Sequence, residues 1–257
     1  MITKRFCRLV TVFFSLLVLA TVSGCATTGP SSGDPGDPYE QTNREIYDFN
    51  DGLDKKVFQP VARSYVKVTH PAVRDSVTNF FDNVTYLSTI VNTFLQGKFG
   101  QGFQDSGRFI INSTVGIGGL FDPATGIGLP QNDEDLGQTF GVWGAEEGAY
   151  LMLPMFGPDT VRDVPDRVSS LFLSPLFYMA ATITIPLTAL QAVNERANLL
   201  EATRVRDEAA LDPYTFTREA FRQQRTYLIY DGNPPSSGLD EFIEELDDLD
   251  NGVLKVF

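Results

Sequence analysis

Few residues of this chain have the type and spacing for covalent chemistry. The foremost is Cys25, which ends Val22-Ser23-Gly24-Cys25 behind the basic residues Lys4, Arg5 and Arg8 and an apolar run from Leu9 to Ala20. A basic start, a short apolar stretch and small residues before a cut mark a secretory signal peptide, with cleavage expected between Gly24 and Cys25. The usual catalytic sets are missing. His70 is the one histidine, and the other cysteine, Cys7, lies inside the signal, so a zinc site or a Ser-His-Asp triad has no ligands to draw on. No Gly-x-Ser-x-Gly elbow occurs. Gly116-Ile117-Gly118-Gly119 lacks the third glycine of a dinucleotide loop, and no phosphate-loop lysine follows a glycine cluster. Asp133, Glu134 and Asp135 read as the start of a helix rather than as a catalytic dyad.

The order Val22-Ser23-Gly24-Cys25 resembles the lipobox of bacterial lipoproteins, which implies a Cys25 that becomes the mature N-terminus and carries N-acyl and diacylglyceryl groups. An ordinary signal peptide with a chance cysteine is the alternative. No other cofactor is expected.

The elements that must position a site divide the chain into four parts. Residues 1–24 are the signal. Residues 25–38 are the anchor and a Gly/Pro/Ser-rich tether, whose stretch from Ala26 to Pro38 reaches roughly 43 Å at about 3.3 Å per residue. Residues 39–232 form the folded domain. Residues 233–257 are a linker and an acidic amphipathic tail, with Leu239, Phe242, Ile243, Leu246 and Leu249 opposed by Asp240, Glu241, Glu244, Glu245, Asp247 and Asp248. That tail is either a docking element or simply solvated. The net charge is −13, and loss of the three basic signal residues leaves 17 basic against 33 acidic residues, a balance of −16. Such a chain is not drawn by net charge to nucleic acid or to anionic lipid. With Cys7 removed and Cys25 acylated, no internal disulfide forms, and packing alone must hold the fold.

Helical spacing dominates the domain. Asp37 is placed to cap a first helix with Pro38 in its first turn and Glu40 three residues on, followed by Tyr39, Ile46, Phe49, Leu53 and Val57. Pro60 and Pro71 suit the first turns of further helices. Pro71 to Gln96 is a long helix with a broad apolar side. Its other side, after Asp82, carries Asn83, Thr85, Ser88, Thr89, Asn92, Thr93 and Gln96 without a charge. Such a face suits burial in protein, a wet cavity or a membrane interface. Glycines crowd Gly97 to Gly157. Within this stretch Phe140 to Pro154 reads as a hairpin-like loop with Trp143 at its base, and Asn132 to Asp135 as a cap with acids in the first turn. Pro158 to Arg167 is expected to open another helix. Its charges Asp159, Arg162, Asp163, Asp166 and Arg167 are either head-group contacts or a solvated face. Val168 to Asn194 carries no charge, but Pro175, Pro186 and its many Ser and Thr residues argue against a span, and it reads as two helical pieces. Asp212-Pro213-Tyr214 repeats the Asp37-Pro38-Tyr39 start as cap chemistry rather than as an internal duplication. The fold class is all-α.

These motifs together resemble the MlaA (VacJ) family of outer-membrane lipoproteins. The carriers are Asp37-Pro38-Tyr39-Glu40-Gln41-Thr42-Asn43-Arg44 with Tyr47 and Asn50, then Asn92 to Gly97, Arg108 to Thr114 leading into Gly116 to Gly119, Gly137 to Gly141, Leu153-Pro154 with Phe156-Gly157, Arg162-Asp163, and Asp212-Pro213-Tyr214. The resemblance implies a mostly helical ring, embedded in the inner leaflet of the outer membrane on its periplasmic side, with a glycine-rich hairpin loop and a central amphipathic channel. It implies removal of mislocalised phospholipids from the outer leaflet, association with trimeric porins, and delivery to a soluble periplasmic phospholipid carrier, with no bond chemistry. Ala26 after the lipidated cysteine is similar to the outer-membrane sorting pattern. The family's gating hairpin maps to Gly144, Ala145 and Glu146, and the segment whose disturbance loosens the channel to Phe49, Asn50 and Asp51. Glu146 and Glu147 depart from relatives whose loop is less charged. A passive scaffold that binds porins and lipid, and a lipid-modifying enzyme, are the competing readings.

Overall fold

The computed structural model describes residues 36–235, so the signal, Cys25, most of the tether and the acidic tail from residue 236 lie outside the described residues. Helix α1 (Glu40–Leu53) runs through a π-helical turn (Asp54–Phe58) into α2 (Gln59–Val68). The π turn ends just before Pro60, whose ring and missing N–H cannot join a regular i→i−4 ladder. After His70, whose Nδ1 accepts from the Ala72 N–H, α3 (Pro71–Leu95) begins on its proline as the sequence predicts. Then come α4 (Phe99–Thr114), the short α5 (Pro123–Gly126), α6 (Leu136–Val142), strands β1 (Tyr150–Leu153) and β2 (Gly157–Thr160), α7 (Val164–Leu173), a 3-10 turn (Pro175–Tyr178), α8 (Ala181–Asn198), α9 (Leu200–Ala209) and α10 (Pro213–Ile229). The strands pair antiparallel, Tyr150 opposite Thr160 and Leu153 opposite Gly157. This two-stranded sheet is the exception in a helical architecture, and the all-α expectation holds. No helix among the described residues is long and apolar enough to cross a membrane.

Four local expectations are corrected. Asp37 does not cap α1: its carboxylate is fully buried and accepts from Asn43, Tyr214 and Arg218, while α1 starts at Glu40 without a side-chain cap. Three donors from elsewhere in the fold outbid a local backbone amide for it. Phe140 to Val142 are helical, not loop. Gly137 and Gly141 let α6 approach its neighbours, because a Cβ on Gly137 would meet Asp163 Oδ1 at 2.1 Å and one on Gly141 would meet Ile229 Cδ1 at 2.9 Å. Close packing therefore overrides the low helix propensity of glycine. Of the acids before α6, Asp135 is the cap, bonding the Gln138 N–H, while Asp133 and Glu134 precede the helix. Finally, Pro158 to Thr160 belong to β2, and the next helix opens only at Val164. Met155 and Gly157, at φ of 67° and 82°, turn the chain back on β1 instead.

The core is small and aromatic. Tyr47, Tyr150, Met152 and Tyr214 form its centre, with Ile46 and Phe221 against them. Tyr214 makes edge-to-face contacts with Tyr47 and Tyr150 at centroid distances of 5.7 and 6.2 Å. Elsewhere the usual order is inverted: buried polar and charged side chains outnumber buried apolar ones, while large apolar side chains line the outside of nearly every helix.

Candidate lipid-facing surface and its polar support

The uncharged stretch from Val168 to Asn194 supplies the densest part of this outer surface. Leu171, Phe172, Phe177, Tyr178, Met179, Ile183 and Ile185 are all exposed, across α7, the 3-10 turn and the first half of α8. Pro175 opens the 3-10 turn and Pro186 sits inside α8. Backbone carbonyls freed at this junction are met locally: Tyr178 donates to the Phe172 carbonyl at 2.9 Å and Thr184 to that of Leu176 at 3.0 Å. Polar backbone groups beside apolar surface need such partners where water is scarce. The second dense area follows α4, where Phe99, Phe103, Ile110, Val115, Ile117 and Phe121 are exposed and Phe94 packs between Phe99 and Phe103.

Behind this surface the supports are polar. The uncharged face of α3 is turned into protein: Asn92 is 2% exposed and Thr93 fully buried. Asp105 of α4 is the hub, accepting from Tyr86 at 2.8 Å, Thr93 at 3.0 Å and Asn132 at 2.8 Å. Asn92 bonds Thr139 of α6 at 3.0 Å. Glu134 gathers Lys98, Gln96 and Gln101. Asn83, Ser88, Thr89, Asn92 and Thr93 of this face are buried in protein, whereas Thr85 is exposed.

Ion pairs tie the helices together. Arg108 holds Asp122, whose carboxyl burial works to raise; hydrogen bonds from Thr125, Arg108 and Asn112 overcome this and hold it at about 2. Burial likewise works to raise Asp135, and the Arg225 guanidinium reverses it, so that carboxyl sits low. Asp133, exposed at its surface but crowded by surrounding protein, is pushed up by desolvation and by the Asp135 charge. The cluster Asp159, Arg162, Asp163, Asp166 and Arg167 is only partly a solvated face: Arg167 is exposed, while its acids turn inward. Asp159 and Asp163 are buried, paired with Arg167 and Arg225, and Asp163 accepts from Thr160 at 2.7 Å.

The structure separates the two groups of sequence-marked site residues. Gly144, Ala145 and Glu146 lie exposed on the loop between α6 and β1, with Gly144 at φ 90° and open space around it. Asn50 reaches a different loop, the β1–β2 turn: its Nδ2 donates to the Leu153 carbonyl at 2.9 Å, and its Oδ1 accepts from the Met155 N–H at 2.8 Å. Met155 and Phe156, on that turn, are exposed. Asn43, about two turns earlier, holds β1 in the same way, donating to the Tyr150 carbonyl and accepting from the Met152 N–H. Asp51 pairs with Lys55 and Arg206, and Asp54 with Arg196. Phe49 is exposed. Sequence reasoning missed the arginines that complete these contacts, Arg196, Arg206, Arg218 and Arg225. The excess of acids was the only signal that each arginine would be claimed. Among the described residues, no group of His, Cys, Asp and Glu side chains is arranged to hold a metal ion.

The class defined here is a mostly helical protein that buries polar side chains and exposes large apolar ones, and the comparisons narrow it. Residues 35–228 match the model of the family described as MlaA lipoprotein. The intermembrane phospholipid transport system lipoprotein MlaA of Escherichia coli K12 is 30% identical over 91% of this chain and 97% of its own. Its namesake from Haemophilus influenzae is 26% identical over 95% and 97%. An uncharacterized protein of Rickettsia bellii is 36% identical over 74% of this chain and 75% of its own. A solved structure from work on the structural basis for maintenance of bacterial outer membrane lipid asymmetry superposes with a TM-score of 0.67 at 29% identity, covering 75% of this chain and 98% of that one. The chain belongs to the MlaA lipoprotein family.

Proposed function

We propose that this protein is an outer-membrane lipoprotein, anchored through acyl groups on Cys25, that removes mislocalised phospholipids from the outer leaflet and so maintains lipid asymmetry. The carrying observation is the inverted distribution of side chains: a polar, ion-paired interior inside an apolar exterior, with no described helix able to span. Helices that lie in one leaflet need wide apolar belts rather than spanning length. In this reading the helices form a ring in the inner leaflet, phospholipid passes through an amphipathic channel, and a soluble periplasmic carrier receives it. Trimeric porins are the membrane partners, and the loop bearing Gly144, Ala145 and Glu146 is the gate. The names of its relatives support phospholipid handling. The step is transfer, with no bond made or broken.

Deletion of the gene is expected to raise outer-leaflet phospholipid and to sensitise cells to detergent with chelator. Unchanged surface phospholipid rejects the proposal. Locking the 143–149 loop by an oxidised disulfide between Ala145→Cys and a second introduced cysteine facing it separates transport from a passive scaffold: a channel stops clearing lipid until the bond is reduced, whereas a scaffold keeps its function. Turnover of labelled phospholipid by the purified protein would establish an enzyme instead.

A further inference from the structure

The charge of this protein is unevenly spread. Between Asp54 and Asp75 the sequence holds Lys55, Lys56, Arg63, Lys67 and Arg74 and no acid, although the whole chain stands at −13. This segment is the π-helical turn, α2 and the start of α3. Lys56, Arg63 and Lys67 are exposed and, among the described residues, have no ion-pair or hydrogen-bond partner. Arg63 and Lys67 lie one turn apart and share a face of α2. Ala62, fully buried, marks the opposite, inward side. Next to the cations runs an apolar edge: Val57 and Val61 are each 47% exposed and Val68 is 85% exposed.

The neighbouring acids do not cancel this strip. Asp51 is held by Lys55 and Arg206, and Asp54 by Arg196. Arg74 donates to the Val66 and Thr69 carbonyls, which leaves its charge at the C-terminal end of α2. Asp207, which acts on Lys55, is itself paired with Arg206, and exposed charges more than about 8 Å apart are screened at physiological ionic strength. Net charge therefore misstates what this surface attracts.

We infer that the strip formed by Lys56, Arg63 and Lys67 beside Val57, Val61 and Val68 is a contact surface for anionic phospholipid head groups, with the valines set among the acyl chains. Cations strung along one helix edge, next to a row of small apolar side chains, fit the planar boundary between a charged and an apolar layer. The inference rests on the membrane-embedded part of the proposed function and adds a head-group class to it.

The test uses the full mature chain carrying Cys25→Ala, so that acyl groups contribute nothing. Co-flotation is measured with phosphatidylcholine vesicles and with vesicles that also hold phosphatidylglycerol. At about 1 kcal/mol per basic residue near an anionic surface, three cations give an upper bound of about 100-fold, and a preference of at least about tenfold for the anionic vesicles is expected. The preference should fall away at high salt. It should also be lost in Lys56→Gln/Arg63→Gln/Lys67→Gln, whose exposed substitutions leave the circular dichroism spectrum and melting temperature unchanged. Acetylation of the Lys56 and Lys67 amines should slow on anionic vesicles alone. Equal binding of the parent chain to both vesicle types overturns the inference and leaves the membrane reading standing. Binding to neither removes the membrane reading with it. A preference that survives the triple substitution, or acetylation of these amines that is equally fast with and without anionic vesicles, also overturns it.

Discussion

Tyr214 donates its phenolic hydrogen bond to Asp37, across a sequence separation of 177 residues. The two Asp-Pro-Tyr segments thus meet. Asp37 of the first accepts from Tyr214 of the second, and Asp212 of the second accepts two bonds from Arg44, just after the first. Arg44 also lies over the Tyr214 ring at 4.4 Å. The same tripeptide plays two parts. Asp212 caps α10 through the Tyr214 and Thr215 amides, whereas Asp37 is buried as the partner of Asn43, Tyr214 and Arg218. The start and end of the folded domain are closed on one another by this exchange.

Removing the hydroxyl at this junction should be costly, and removing one nearby should not. Tyr214→Phe leaves a buried carboxylate short of a donor, and hydrogen bonds to charged groups are worth about 1.5–3 kcal/mol. Tyr150 is fully buried in the same aromatic cluster, yet its hydroxyl has no partner among the described residues. Tyr150→Phe discards an unsatisfied polar atom while keeping the ring. The expected outcome in thermal melts is a clear fall for Tyr214→Phe and no change or a rise for Tyr150→Phe.

Asn50 acts on backbone rather than on another side chain. Both ends of its amide are used by the β1–β2 turn, at Leu153 and Met155. Asn50→Ala should free that turn, costing about 1–3 kcal/mol for the two bonds. The loss is local, so hydrogen exchange at the Met155 amide should speed up strongly while the helical amides of α3 and α4 keep their protection. Uniform acceleration across the domain would show that Asn50 supports the whole fold instead.

What the sequence reveals follows from how local each cause is. Pro71 opening α3, the interruption of the uncharged run by Pro175, and Asp212 as a cap depend on residues a turn apart, and all are legible in sequence. The fate of Asp37 is not, because Asn43, Tyr214 and Arg218 become its neighbours only after folding. For the same reason Asp159 and Asp163 look solvated in sequence and are buried and paired in the structure. Gly137 and Gly141 look like loop residues because low propensity is a local property, whereas the close approach of Asp163 and Ile229 that demands them is tertiary. Among the site residues, the sequence marks Asn50 but not the turn it holds, and it marks Gly144 without showing that its surroundings are open.

The glycines divide into two kinds that substitution should separate. Gly137→Ala would drive a Cβ against Asp163 Oδ1 at 2.1 Å and Arg225 Nη2 at 2.8 Å, disrupting a buried pair. Loss of a buried charge pair through one partner costs about 3–5 kcal/mol, which sets the scale of the expected destabilisation. Gly144→Ala meets nothing within 4 Å, and its cost comes only from the backbone at φ 90°. That penalty is about 1–3 kcal/mol. Chemical denaturation should show the larger fall in stability for Gly137→Ala. A lipid-clearance defect in Gly144→Ala with near-normal stability would support a moving loop at this position.

Acid should first stabilise and then destabilise the domain. Asp82 and Asp133 are raised from the ordinary 3.8 mainly by desolvation, so the folded chain takes up their protons before the unfolded chain does. Stability therefore rises as pH falls from neutrality toward that value. Asp122, Asp135 and Asp212 behave in the opposite sense. Asp212 is held low chiefly by its hydrogen bond from Arg44, and Asp122 lies at about 2. For these groups stabilisation is complete above the unfolded value and is lost as pH falls from about 4 toward about 2, because the unfolded chain protonates first. Melting temperature against pH should thus pass through a shallow maximum on the acid side of neutrality and drop steeply below about pH 4. Asp82→Asn should flatten the rise, since its amide can still accept from Gln131 without a charge to neutralise. Asp122→Asn should lower stability at neutral pH, where Arg108 loses its anion, and make the acid limb shallower. If both variants kept the parent profile, the acid response would belong to other carboxylates and this assignment would fail.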